Sequence, residues 1–166
     1  MAELTKLESK LAEVLGLAQA AQGATDKIAS LVEEEGEDGI VQTLKRMHEE
    51  AAETEQRCTD VAGELDGKKT AILEKARETK QEATEMMQTY LGDDADDLDG
   101  FEFLTMAEAA EVGHWQIVGK MNERANLPGL QELVQWATPI QRKHFETVQQ
   151  GSLKLAAEED PNEPES

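Results

Sequence analysis

The sequence predicts an all-α protein built as two helical hairpins joined by a long crossover that carries an extra helix, an arrangement that closes a four-helix bundle. Three observations predict it. Good helix formers (Ala, Glu, Leu, Gln, Lys) dominate the 166 residues, with only four prolines. Apolar residues recur at alternating steps of three and four, the helical period, along most of the chain. Runs with the two-residue alternation of strands are scarce.

The first helix, roughly residues 3–35, carries the stripe Leu4, Leu7, Leu11, Val14, Ala18, Ala21, Thr25, Ile28 and Val32. The run Glu33 to Gly39 ends it with a turn. The second helix carries Ile40, Leu44, Met47, Ala51, Thr54, Cys58, Val61 and Leu65, and Gly63 and Gly67 weaken its end. A third stripe, Ile72, Ala76, Thr79, Ala83, Met86 and Tyr90, forms the crossover helix. The acidic loop Gly92 to Gly100 follows, and its last aspartates favour the next helix's N-terminus. The fourth helix starts near Phe101 and runs to about Ala125, with Phe103, Met106, Ala110, His114, Ile117 and Met121 on one face. Asn126 and Pro128 restart the chain. The fifth helix carries Leu130, Leu133, Ala137, Ile140, His144 and Val148. Pro139 interrupts it, and Thr138 with Gln141 reads as a capping box, so a kink or brief restart is expected there. One domain is expected over residues 1–157, and residues 158–166 read as a disordered acidic tail.

Charge sets the outer limits. The formal net charge is −20, on an apolar content of 39% that is ordinary for a folded domain. Few cations are present to neutralise phosphates, so nucleic acid and anionic membrane surfaces are excluded as expected partners. No apolar run is long enough to cross a bilayer. The N-terminus lacks a secretory pattern, so a cytoplasmic location is expected. One cysteine, Cys58, supports no internal disulfide and reads as a small core residue. The acidic loop fails as a calcium hand: Asp97, Asp99 and Gly100 fit, but Ala95 and Met106 stand where ligands are needed. No phosphate loop or dinucleotide fingerprint occurs.

The residues that could carry chemistry lie in Glu108-Ala-Ala-Glu111-Val-Gly-His114. At about 100° per residue, with Ala110 at zero, His114 falls near 40°, Glu111 near 100° and Glu108 near 160°. His114 is therefore expected to point inward, Glu111 to sit at the border and Glu108 to meet solvent. Trp115, near 140°, and Trp136 on the fifth helix fall off their stripes and read as flanking the bundle or a dimer contact. On the fifth helix His144 lies mid-stripe, with Gln141 about 60° away. Two facing imidazoles plus Glu111 make a ligand set for a divalent first-row metal. The competing reading is that both histidines are core residues bonded to Gln22, Thr25 or Glu111.

Two hairpins, a long crossover and the inward Glu111-x-x-His114 resemble the ferritin-like superfamily, and the stretch Ala107 to Ile117 is similar in style to small bacterial ferritin-like stress proteins. The resemblance implies iron or another first-row divalent metal and a stress- or redox-related role. In complete members a Glu from each of two helices and a Glu-x-x-His from each of the other two hold two metals. This chain departs from that pattern. Its fifth helix offers Gln141-x-x-His144, and the Glu-x-x-His lies on the first helix of its hairpin. When the two halves of the chain are overlaid, Gln19, Gln22, Thr25 and Glu55 fall on Glu108, Glu111, His114 and His144. The implied site is thus reduced to Glu111, His114 and His144, with Glu108, Gln141, Glu55 and His48 as weaker candidates. The alternative is a non-catalytic structural or interaction bundle that has lost the metal site. Such a bundle would act through its surface or as a homo-oligomer, in the first instance a dimer.

Overall fold

The structure, a computed structural model, describes residues 2–35 and 38–165. It is all-helical among the described residues, with five helices: α1 (Lys6–Glu35), α2 (Asp38–Glu64), α3 (Lys69–Tyr90), α4 (Asp97–Ala125) and α5 (Pro128–Glu158). None is long and apolar enough to cross a membrane.

Local chemistry sets the ends. Gly67 takes a left-handed φ of 70°, which lets the chain turn tightly between α2 and α3, so the crossover helix is separate from α2. Asp96 and Asp99 form a capping box at the start of α4, each carboxylate accepting the other's backbone N–H at 2.9 and 3.1 Å. At its far end Asn126 is the left-handed C-cap, and the buried Asn122 amide bonds both the N–H and the carbonyl of Leu127. α5 runs unbroken through Pro139. The expected capping box there does not form, because Thr138 Oγ1 makes no hydrogen bond. Beyond Glu158 the chain is exposed and has no helix as far as it is described.

α1 is the organising element. It packs on α2, α3 and α4, while α5 packs on α4 and α2. The directions follow from cross-helix contacts. Lys68, just before α3, reaches the Glu3 carbonyl and, at 3.4 Å, Glu8, so α3 starts beside the start of α1 and runs the same way. Gly100 at the start of α4 lies against Ile28, and His114 lies near Glu13, so α4 runs opposite to α1. Gly129 meets Glu64, and Gly151 meets the Phe101 ring, so α5 runs opposite to α2 and α4.

Two hydrophobic clusters hold the helices together. One contains Leu11, Leu15, Cys58, Val61, Ile72, Trp115, Val118 and Leu133. The other contains Ile28, Val32, Leu44, Met47, Phe101, Leu104 and Val148. Buried Glu108, Glu111, Gln141 and His144 fall between them.

Candidate functional site: a polar layer between two hydrophobic clusters

On α4, Glu108 and Glu111 sit between Leu104 of one cluster and Trp115 of the other. On α5, Gln141 and His144 sit between Ala137 and Val148. All four are buried. On α2, Thr54 and Glu55 occupy the stretch between Met47 and Cys58. On α1, Gln19 and Gln22 lie between Leu15 and Ala24. The four helices that contact one another in a ring therefore each place polar side chains at one height.

The α4–α5 half is the more enclosed. Gln141 Nε2 donates to Glu108 Oε2 across the helix interface. His144 stands between two carboxylates, with Nδ1 3.8 Å from Glu108 and Nε2 3.5 Å from Glu50. Nε2 has no hydrogen-bond partner. Burial pushes the Glu108 carboxyl up to about 7, and the Gln141 amide pulls only partly the other way. Burial first, then the neighbouring Glu108, raise Glu111 well above the usual carboxylate range. Burial lowers His144, against the opposing pull of Glu50, so desolvation favours the neutral imidazole. Cys58 lies close by. Burial raises its thiol, and Glu111 and Glu55 raise it further, which favours the protonated thiol.

The α1–α2 half is a more open version of the same arrangement. Gln19 and Gln22 both donate to Glu55, with Gln19 at 3.2 Å and Gln22 at 2.5 Å. The overlay of the two halves matches Gln19 with Glu108 and Glu55 with His144, and within each half the two counterparts meet: Gln19 with Glu55, and Glu108 with His144. His48 Nδ1 lies 3.1 Å from the Gln22 carbonyl and 3.1 Å from Asp26, on the α1–α2 surface.

The orientation expected for α4 needs correction. Glu108, expected in solvent, is fully buried. Trp115, expected off the core, is 1% exposed. His114, expected inward, is only half-buried. Its Nδ1 bonds the Ala110 carbonyl of its own helix at 2.8 Å, and its Nε2 is 3.7 Å from Glu13. The whole face is turned by roughly 120° at 100° per residue. Phe101, Leu104, Trp115 and Val118 form the true core edge, while Met106 and Ile117 are exposed. The three–four spacing of Gly100, Leu104, Glu108, Glu111, Trp115, Val118 and Asn122 marks this face in the sequence. Two acids in that stripe, Glu108 and Glu111, disguise it.

The candidate ligands therefore divide. Glu108, Glu111 and His144 share one layer with Gln141. Glu55 joins that layer from α2. His48 and His114 stand apart from it and from each other. Among the described residues, no group of three or more His, Cys, Asp or Glu side chains is arranged to hold a metal ion. The donors are turned toward one another: His144 divides its two nitrogens between different carboxylates, and the Gln141 amide occupies an oxygen of Glu108. Comparison with protein-family models, curated proteins and solved structures found no match to this chain.

Proposed function

We propose that this chain is a cytoplasmic ferritin-like protein in which α1, α2, α4 and α5 form the four-helix bundle, α3 is the crossover, and the central layer serves as an internally bonded polar core. In this reading it acts as a non-catalytic interaction bundle. The ring of helix contacts and the order of helix directions support the bundle. The observation that carries the functional reading is the Gln141–Glu108 hydrogen bond. An amide stands where the ferritin-like pattern has a carboxylate, and it satisfies the acid that a metal would otherwise hold.

One observation favours a second reading, a reduced iron or other first-row metal site in a stress or redox role. Glu108, Glu111 and His144 are buried at the same height, and a cation there would relieve the cost of ionising both acids. Metal-to-protein ratios of purified wild type, His114→Ala and His144→Ala separate the two. The interaction-bundle reading expects the same substoichiometric ratio in all three. A stoichiometric ratio that falls in His144→Ala supports the metal reading.

A further inference from the structure

We infer that the cleft between α3 and α4 is a docking groove for a basic amphipathic helix of a partner protein; this rests on the interaction-bundle reading and names its partner class. Both helices lean on α1, whose Ala21 and Ala24 help to floor a cavity of about 180 Å³ between them. Met86 and Met87 line it from α3, and Phe103 and Met106 line it from α4. Tyr90 leans on Phe103 with ring centroids 5.9 Å apart, bridging the two walls.

This apolar surface is wet. Met86 is 68% exposed, Met106 50% and Tyr90 44%. The α3 stripe explains why. Its first half, Ile72 and Ala76, is buried, whereas its second half continues the same face with Met86 and Tyr90 exposed. An apolar strip of this kind on a soluble chain marks an interaction site. Flexible thioether side chains suit a surface that must adapt to a helix.

Charge selects the occupant. Between Lys80 and Lys120 the sequence has no lysine or arginine, and that stretch supplies the α3 and α4 walls around Met86 and Met106. Glu82 and Glu85 share a surface hollow with Met86 and Tyr90. From the opposite wall Glu102 accepts the Tyr90 hydroxyl at 3.2 Å. The groove is thus an apolar strip with an acidic collar. It complements a helix with an apolar face and basic flanks. A second copy of this chain, also at −20, would bring acid against acid.

The test is fluorescence anisotropy of a labelled leucine–lysine peptide with leucines at i, i+3, i+4 and i+7, at physiological salt, against a shuffled peptide of identical composition. The patterned peptide is expected to bind at least about tenfold tighter than the shuffled one. Met86→Gln and Met106→Gln, both at exposed positions, are expected to remove that advantage. Leu153→Gln, on an exposed α5 leucine, is expected to leave it unchanged. Equal binding of the two peptides overturns the proposal. So does full binding by both methionine variants, or equal weakening by Leu153→Gln. Such a failure leaves the metal ratios untouched, so it is distinguishable from failure of the interaction-bundle reading.

Discussion

The side-chain amide of Gln141 donates to the carboxylate of Glu108 across the α4–α5 interface, with both residues buried. That bond allows an acid to sit at the centre of the molecule. It also explains why the polar layer interrupts the core without opening it, since a buried polar group is tolerated when it is hydrogen-bonded.

Burial pushes the Glu108 carboxyl up to about 7 in the fold, from 4.5 for an ordinary glutamate. The folded state therefore holds a proton that the unfolded chain has already released between those values. Its contribution to stability is fully present below about pH 4.5 and is lost as pH rises through 7, a change of about 3 kcal/mol at 1.36 kcal/mol per unit. Glu111, also raised, acts in the same sense. His144, lowered from 6.5, acts oppositely as pH falls below that value. Glu108→Gln removes the Glu108 contribution alone. Denaturant unfolding should find it more stable than wild type at pH 8 and close to wild type at pH 5.

Removing the donor should do the reverse. Gln141→Leu leaves Glu108 without this donor at a buried position. A loss of about 1–3 kcal/mol is expected at pH 7. Combining it with Glu108→Leu should recover much of that loss, which a double-mutant cycle measures.

At Gly16 α1 packs directly on the α3 backbone. A Cβ there would stand 2.4 Å from the Ala76 carbonyl oxygen and 2.7 Å from Thr79 Cβ. Backbone cannot give way as a flexible side chain can, so Gly16→Ala should cost about 1–3 kcal/mol. Hydrogen exchange should show faster opening in α3, which α1 holds in place.

The two tryptophans should respond differently. Trp115 is 1% exposed inside a cluster, so Trp115→Ala should cost about 3–5 kcal/mol. Trp136 is half-buried, with the Arg57 guanidinium 4.1 Å from its ring centroid. Thermal unfolding should rank Trp136→Ala well below Trp115→Ala in cost, and Arg57→Ala should change the emission of Trp136.

The helices were legible because their stripes are long and their ends are marked by glycine, proline and aspartate. On α2 and α5 the stripe also gave the right face: Leu44, Met47, Ala51, Thr54 and Cys58 are buried, as are Leu130, Leu133, Ala137 and His144. On α4 it did not. Apolar residues surround that helix because one face meets the core and another lines the cleft, and Ala107, Ala109 and Ala110 favour neither. Buried acids also defeat a reading that sends charge to solvent. Glu108 is inside because Gln141 meets it there, and only the fold brings together residues so far apart in the chain. The lower half of α3 read correctly. Its upper half, Met86 and Tyr90, kept the core pattern on a face that stays open.

In the proposed reading Glu108 is held by the Gln141 amide rather than by a metal. Equilibrium dialysis against manganese(II) at pH 7, comparing wild type with Gln141→Glu, tests it directly. Wild type should retain well under one equivalent. Gln141→Glu, which removes the internal donor and adds a carboxylate beside Glu108 and His144, should retain more. Stoichiometric binding by wild type that His144→Ala abolishes would contradict the account.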